Sequence, residues 1–311
     1  MTIFVVVNPM ADGGRAKSAW PDIAARLAER FGPFEHRMTE WTGHGTELVR
    51  DAVRGGAEVV IAVGGDGTVN EAINGIAAAG ADAFSRVTFG MLTIGTGSDF
   101  TRSLFPKAGL EQMIEAACSD RLRHIDLGRV DYAGDAGEAQ SRLFANIASF
   151  GISGAIDRKV NARRPAIVPA KARFLAATLA AFVAHRPQPV RIQLDDRAPV
   201  ESEIAVVAVA NGRYFGGGMM IAPDAAPDDG LFDVVTLKAT SKLVLLRDLQ
   251  MVYGGRHRQH PSITIERARR VSVTPLGDPA LAPVLLDIDG ESPGRLEARF
   301  EVLPGVLRLR G

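Results

Sequence analysis

A glycine-dense turn between a strand-like run and a helix-like run is the feature that most restricts how this chain folds. The apolar run 58–63 is followed by Gly-Gly-Asp-Gly-Thr at 64–68, and an alanine-rich stretch then continues to residue 79. Strands that alternate with helices in this way build open, mostly parallel sheets. The amides that begin such a helix bind anions. The turn therefore predicts an α/β sheet with a phosphate-binding site.

The residues of this turn lead to further local expectations. Its glycines, Gly64, Gly65 and Gly67, allow φ > 0 and leave room for a phosphate to approach the main chain. Thr68 is the expected N-cap of the helix, with Glu71 as its capping-box partner. Asp66 would repel phosphate unless a cation lay between them. It is therefore either a metal ligand or a side chain that caps its own turn.

The composition describes a globular chain with a balanced charge. The 311 residues suggest roughly two domains, and 46% of them are hydrophobic, which is enough to build buried cores. The 36 basic residues equal the 36 acidic ones, so nothing indicates a nucleic-acid partner. The single cysteine, Cys118, cannot form an internal disulfide and favours a reducing compartment. No run reaches the roughly 20 apolar residues of a membrane span, so a cytoplasmic protein is expected.

The pattern of predicted elements changes near residue 128. Before it, strand-like and helix-like runs alternate, which predicts an α/β domain over 1–127. After it, short alternating runs are separated by turns, which predicts an antiparallel β-sandwich over 128–299. One helix is expected inside this second domain, at 170–184. The strand-like runs of the second domain are 204–210, 231–237, 262–266, 271–274, 284–288 and 295–302.

Polar turns follow four predicted strands of the first domain. They include Asn8 with the glycines after it, Thr39, the turn 64–68 and the turn 95–99. The carboxyl ends of parallel strands meet at one edge of a sheet, where open α/β sheets bind their ligands. Together these turns predict a nucleotide-binding cleft. The Lys-Ser/Thr ending of a P-loop and the G-x-G-x-x-G spacing of a Rossmann turn are both missing, which disfavours those two mechanisms.

Several motifs in one order give the chain a specific resemblance. Gly-Gly-Asp-Gly-Thr after a strand is shared by diacylglycerol, sphingosine, ceramide and NAD kinases. The chain also resembles the bacterial diacylglycerol kinase-like lipid kinases in seven further segments. These are 8–14, 69–71, 95–99, 144–154, 211–219, 222–233 and 287–291. The resemblance covers nearly the whole chain. It implies an open parallel sheet flanked by helices, a C-terminal antiparallel β-sandwich, and a final segment, 300–311, that returns to the first domain.

The resemblance also implies roles for particular residues. Asp289 and Glu291 resemble the catalytic Asp-Gly-Glu of the family. Glu291 would accept the proton of the acceptor hydroxyl, and Asp289 would orient that hydroxyl or help to hold magnesium. Because Asp-Gly is also a common turn pair, a solvated turn is the alternative. The implied nucleotide contacts are Asn8, Thr39, Gly64, Gly65, Asp66, Gly67, Thr68, Val69, Asn70, Glu71 and Thr96.

A second magnesium site is implied further along the chain. Its ligands would be the side chain of Asp229 and the main-chain carbonyls of Ala226 and Leu231. Oxygen ligands suit a hard cation such as Mg²⁺. A second Asp-Gly hairpin turn, without metal, is the alternative.

The implied function is an ATP- and Mg²⁺-dependent lipid kinase of lipid metabolism and phospholipid biosynthesis. Its acceptor would be a diacylglycerol, or a ceramide or sphingoid base as for a ceramide kinase. Glu291 is expected to reach the phosphates held near Gly65. An NAD kinase-like enzyme and a non-catalytic lipid- or nucleotide-binding regulator are the alternatives.

The resemblance implies partners as well. They are a lipid alcohol as substrate and a membrane surface in transient contact. A homodimer is a further expectation, in which a second copy of the chain is the partner. The enzyme would be cytoplasmic and peripheral to the inner membrane surface. The basic run 158–173 suits anionic headgroups, although such runs are more often plain solvated faces.

Overall fold

A computed structural model describes residues 1–95, 98–161, 187–239, 251–278 and 281–311. They form two compact units, Met1–Leu127 with Leu303–Gly311 and, second, Gly128–Val302. Two long strands, Leu122–Gly134 and Gly294–Arg310, contribute residues to both units. The helix expected at 170–184 lies outside the described residues.

The first unit contains an open parallel sheet. Its strands lie in the order β4-β3-β1-β2, and each neighbouring pair is parallel. Their bounds are β1 Ile3–Val7, β2 Glu35–Met38, β3 Val59–Gly64 and β4 Thr88–Thr93. The three inner strands are buried along their whole length, which suits their β-branched and apolar residues. Near the C-terminus, Leu309 pairs in parallel with Phe89 on β4.

Helices connect the strands of this sheet. They are α1 Arg15–Phe31, α2 His44–Arg54, α3 Asp66–Ala79, α4 Ala83–Arg86, α5 Asp99–Leu104 and α6 Leu110–Cys118. On α1, Trp20, Ile23 and Leu27 follow helical spacing and pack as one face into the core of the unit. Burial of an aliphatic side chain of this size stabilises the fold by about 1.5–3 kcal/mol. The amphipathic spacing therefore explains why α1 lies on the sheet.

The second unit is built from antiparallel strands around an aromatic core. Every strand pair recorded within it is antiparallel. Phe144 lies 5.6 Å from Phe232 between ring centroids, and Phe150 lies 6.1 Å from Phe300. The elements are β5 Leu122–Gly134, β6 Ala139–Phe144, β7 Ile147–Gly151, α7 Ile152–Asn161, β8 Gln188–Leu194, β9 Val200–Ala210, β10 Phe232–Lys238, β11 Ile263–Ala268, β12 Arg270–Pro275, β13 Leu286–Ile288 and β14 Gly294–Arg310.

The predicted fold class is confirmed by these two architectures. The first unit has the parallel sheet with helices, and the second has the antiparallel sandwich-like arrangement. In the described part of the chain, no helix combines the length and the hydropathy of a membrane span.

Candidate functional site

The predicted polar turns of the first unit lie at one edge of its sheet. The Thr39 amide donates to the Val7 carbonyl at 2.8 Å, and the Asn8 amide donates to the Val63 carbonyl at 2.9 Å. The Ile94 amide donates to the Gly64 carbonyl at 2.9 Å. These bonds continue the strand ladder to its carboxyl end, where ligands bind in such folds. Thr96, which was predicted at the same edge, lies outside the described residues.

Helix α3 begins directly after the turn at this edge. Gly65 is its N-cap, in an extended conformation, and the Gly65 carbonyl accepts from the amides of Thr68 and Val69 at 3.0 and 3.1 Å. The first amides of a helix have no carbonyl partner inside that helix, and the helix dipole adds positive potential at the same end. The turn therefore has the geometry that binds a phosphate.

The three glycines of the turn do not use the positive φ that glycine allows. Gly64, Gly65 and Gly67 are not among the residues with φ > 0. Close packing explains Gly64 instead, because a Cβ there would lie 2.3 Å from the Thr68 hydroxyl oxygen. At Gly65 an added Cβ would meet no heavy atom within 4 Å. The open side of Gly65 leaves space for a ligand to approach the main chain.

The predicted capping box of α3 was wrong. Thr68 lies inside the helix, and Gly65 occupies the N-cap position. The Glu71 carboxylate accepts from the amides of Gly43 and Gly45 at 2.7 and 2.9 Å. The Thr46 hydroxyl donates to the Glu71 carbonyl at 3.0 Å. Glu71 thus caps the beginning of α2 and ties α2 to α3, so direct contact between Glu71 and a nucleotide stays a prediction.

Asp66 connects the turn to the next loop of the same edge. Its Oδ2 accepts from the Asp99 amide at 2.8 Å, where α5 begins. This contact supports the structural alternative for Asp66, and its role as a metal ligand stays a prediction. Val69 and Asn70 are buried, so their side chains face the interior of the unit. The Asn8 side chain accepts from the Met10 amide at 3.0 Å and shapes the neighbouring turn.

The Asp-Gly-Glu motif of the second unit forms a tight hairpin turn. Asp289 and Gly290 both have positive φ, 49° and 88°. Ile288 and Glu291 exchange main-chain hydrogen bonds of 2.7 and 3.1 Å. Two left-handed central residues define a type I′ turn, and Asp-Gly is a preferred pair for it. The backbone therefore forms a turn, as the alternative predicted. The turn fixes the positions from which the Asp289 and Glu291 side chains extend.

Asp289 binds three consecutive main-chain amides. Its Oδ2 accepts from Ala145 at 2.9 Å, and its Oδ1 accepts from Asn146 and Ile147 at 3.1 and 3.0 Å. Hydrogen bonds to an ionised acceptor are roughly twice as strong as neutral ones. The carboxylate therefore fixes the hairpin to the segment that enters β7.

Glu291 presents a partly exposed carboxylate. Its Oε2 lies 2.7 Å from Arg142 Nη1, and the two side chains are 29% and 19% exposed. Arg142 lies on β6 and holds the carboxylate in one direction. Partial exposure leaves the carboxylate open to a ligand, and the role of Glu291 as a general base stays a prediction.

Sequence reasoning missed several residues that build this second site. Arg142 is one of them, and nothing in its local sequence distinguishes it. The Asn146 side chain donates to the Tyr214 carbonyl at 2.9 Å, and the Asn211 side chain donates to the Ala145 carbonyl at 2.7 Å. Both asparagines are buried and lie in motifs that carried the family resemblance. That position inside the motifs was the available signal.

Asp287 also holds the Asp-Gly-Glu turn in place by hydrogen bonds. Its Oδ1 accepts from the Gly290 amide at 2.8 Å, and its Oδ2 accepts from the Ser149 hydroxyl at 2.9 Å. The carboxylate is buried, so these bonds hold the hairpin against β7.

The side chain of Asp229, in the predicted second metal site, makes two contacts within the protein. Asp229 Oδ1 accepts from the Leu231 amide at 3.0 Å, and Oδ2 forms an ion pair with Arg267. A cation would have to displace that guanidinium. Within the described ranges, no group of three or more His, Cys, Asp or Glu side chains could hold a metal. These contacts support the hairpin alternative, and a metal held by Ala226, Asp229 and Leu231 stays a prediction.

One buried carboxylate close to this hairpin has an altered pKa. The pKa of Asp233 is raised from 3.8 to about 6. Burial is the largest cause, the nearby charge of Asp224 also raises the pKa, and the charge of Arg213 lowers it. The residue is 2% exposed. The folded state therefore binds a proton at Asp233 more tightly than the unfolded chain does.

Comparisons with known proteins match both parts of the chain. The model of the diacylglycerol kinase catalytic domain matches residues 2–130. The model of the YegS C-terminal NAD kinase beta sandwich-like domain matches residues 146–311. The diacylglycerol kinase of Bacillus subtilis strain 168 is 28% identical over 282 residues, covering 88% of this chain and 86% of that protein. The diacylglycerol kinase of Mycobacterium tuberculosis H37Rv is 27% identical over 312 residues, covering 99% and 94%.

Solved structures show the same fold. A crystal structure of a diacylglycerol kinase from Bacillus anthracis str. Sterne superposes with a TM-score of 0.71 at 21% identity, covering 99% of this chain and 96% of that one. The two family models and the relatives named diacylglycerol kinase define the class of lipid kinases. The chain belongs to the bacterial diacylglycerol kinase-like lipid kinase family, and it is an enzyme of that class.

Proposed function

We propose that the enzyme transfers the γ-phosphate of ATP to the hydroxyl group of a lipid alcohol, with diacylglycerol as the first candidate. The observation that carries the proposal is the open N-terminus of α3 at Gly65, inside the region matched by the diacylglycerol kinase catalytic domain. Curated relatives named diacylglycerol kinase favour that acceptor. A ceramide or sphingoid base is the second candidate.

The first unit binds the nucleotide in this proposal. The amides around Gly65 would hold the phosphates, and Thr39 and Asn8 lie on the same edge of the sheet. Mg²⁺ usually reaches kinase sites through substrate phosphates and one or two carboxylates. The Asp66 and Asp289 carboxylates already accept protein amides. Mg²⁺ is therefore proposed to enter with ATP and to neutralise phosphate charge, while this chain supplies main-chain donors.

The second unit binds the acceptor and carries the base. Glu291 would accept the hydroxyl proton while the acceptor oxygen bonds to the γ-phosphorus, and ADP would leave with the electrons of the broken P–O bond. Arg142 would hold the Glu291 carboxylate in place. Asp289 is a positioning residue in this proposal, because its carboxylate fixes the turn through three amides.

The acceptor also determines where the enzyme would work. A lipid alcohol resides in a bilayer, so we propose transient contact with the inner membrane surface from the cytoplasmic side. Phosphorylation of diacylglycerol would place the enzyme in phospholipid metabolism. A homodimer stays a prediction, and light scattering of the purified protein after size-exclusion chromatography tests it.

A direct assay tests the function. The protein is incubated with γ-labelled ATP, MgCl₂ and mixed micelles of one lipid alcohol at a time, with NAD in a parallel reaction. Labelled phosphorylated diacylglycerol is expected, and Glu291→Gln should abolish it. Glu203→Gln, a change of an exposed glutamate on β9, is the matched control and should keep full activity. Labelled NADP without labelled lipid would refute the proposal, and so would binding of ATP without any product.

A further inference from the structure

Trp41 is an exposed aromatic residue beside the nucleotide edge. It lies between Thr39 and α2, and it is 55% exposed although large apolar side chains are usually buried. Its indole stacks on the His44 imidazole, with ring centroids 3.8 Å apart and planes 5° from parallel. His44 covers one face of the indole, and the exposure of Trp41 leaves the opposite face for a ligand.

The loop that carries this stacked pair is fixed at several points. His44 Nδ1 accepts from the Glu40 amide at 3.1 Å, and the His44 amide donates to the Trp41 carbonyl at 3.3 Å. The Glu71 carboxylate binds the amides of Gly43 and Gly45 on either side of His44. Glu71 belongs to α3, the helix whose N-terminus is the phosphate site. The stacked pair is therefore held in a defined position relative to that site.

The spacing between the two features suits a nucleotide. The loop of Trp41 follows β2, the phosphate turn follows β3, and β1 lies between these strands. Two strand spacings separate the ends of β2 and β3 by about 10 Å. A ribose and one or two phosphates bridge a gap of this order. Aromatic side chains bind nucleobases by stacking without needing any particular base edge.

We infer that the open face of Trp41 stacks on the base of the nucleotide whose phosphates bind at Gly65, with His44 backing the indole from the other side. This inference rests on the proposed function, because it takes ATP as the donor. A membrane anchor is the competing role for an exposed tryptophan. The fixed loop and the rigid ring stack favour a preformed base platform over a side chain that inserts into lipid.

Tryptophan fluorescence tests the inference without any need for catalysis. The chain has two tryptophans, and Trp20 is only 6% exposed, so it serves as an internal reference. ADP should quench the wild-type emission, whereas inorganic triphosphate, which lacks a base, should bind without quenching. Trp41→Phe should lose the quenching and keep the Trp20 emission. Quenching by vesicles of brominated lipid instead of ADP would overturn the inference in favour of the membrane role.

Kinetics give the second readout. Loss of one stacking partner predicts a KM for ATP raised roughly 5- to 150-fold in Trp41→Ala. The value of kcat should stay close to wild type, because stacking holds substrate and transition state equally. Trp41→Phe keeps an aromatic face and should retain most of the affinity. If the KM of Trp41→Ala is unchanged and calorimetry shows that ATP still binds, the stacking role of Trp41 is refuted while the proposed function stands. Absence of ATP binding to the wild type refutes the proposed function and the platform with it.

Discussion

Replacing Asp289 with asparagine should weaken the hydrogen bonds that hold the hairpin of Glu291 to residues 145–147. Asparagine tolerates the positive φ of this position, so the backbone itself is not strained by the change. One side-chain oxygen can still accept from Asn146 and Ile147, as Oδ1 does at 3.1 and 3.0 Å. The amide nitrogen would then face the Ala145 N–H, where Oδ2 now accepts at 2.9 Å. One charge-assisted bond is lost, and two are weakened.

The magnitude follows from those three bonds. An amide left without an acceptor in a buried place costs about 1–3 kcal/mol. Loss of the charge from each of the other two bonds costs roughly 0.5–1.5 kcal/mol. The sum predicts a loss of about 2–6 kcal/mol in the free energy of unfolding. This is a large share of the roughly 5–15 kcal/mol of a typical domain.

Urea unfolding at neutral pH, followed by circular dichroism, measures this loss. Glu291→Gln is the matched comparison, because its partner Arg142 sits in a partly exposed ion pair that contributes about 1 kcal/mol or less. We expect Glu291→Gln to lose turnover while it keeps the wild-type midpoint. Asp289→Asn should lose turnover and stability together. A wild-type urea midpoint in Asp289→Asn would refute the positioning role.

Further predictions concern the phosphate turn and the buried acid. Gly64→Ala should lower the melting temperature, because its Cβ would lie 2.3 Å from the Thr68 hydroxyl oxygen, whereas Gly65→Ala should melt like wild type and bind ATP more weakly in calorimetry. Equal melting temperatures for the two variants would contradict this packing. The pKa of Asp233, raised from 3.8 to about 6, predicts stability that is full below pH 4 and falls by about 3 kcal/mol as the pH rises through 6. Asp233→Asn should flatten that pH dependence of the urea midpoint, and an unchanged slope would count against a protonated Asp233.

The sheet of the first unit could be predicted because its signals are local. Strand β3, the turn and α3 follow one another directly. In the second unit, the predicted strand runs coincide with observed strands in position. Strand β6 was missed because Ala139–Phe144 begins with exposed polar residues that show no clear alternation.

The errors at the candidate site have one physical origin. Thr68 and Glu71 match a capping box in sequence, but the Glu71 carboxylate binds amides 26 and 28 residues away. Gly64 is required by contact with a side chain one helical turn later, which a dihedral argument does not reveal. Asp289 could be recognised as a turn residue, whereas its partners at 145–147 are brought close only by the pairing of β7 with β13. Tertiary contacts therefore decided what local patterns could not.

The carboxylate of Glu71 affects which helix N-terminus is open to a bound phosphate. Helices α2 and α3 both begin at the ligand-binding edge of the sheet, and either end would attract a phosphate by its dipole. The Glu71 carboxylate occupies the α2 end, where it accepts from the amides of Gly43 and Gly45. If ATP is the phosphate donor, as proposed, its phosphates are therefore expected at the α3 end and not at the α2 end. Glu71 would thereby determine where the nucleotide lies along this edge of the sheet.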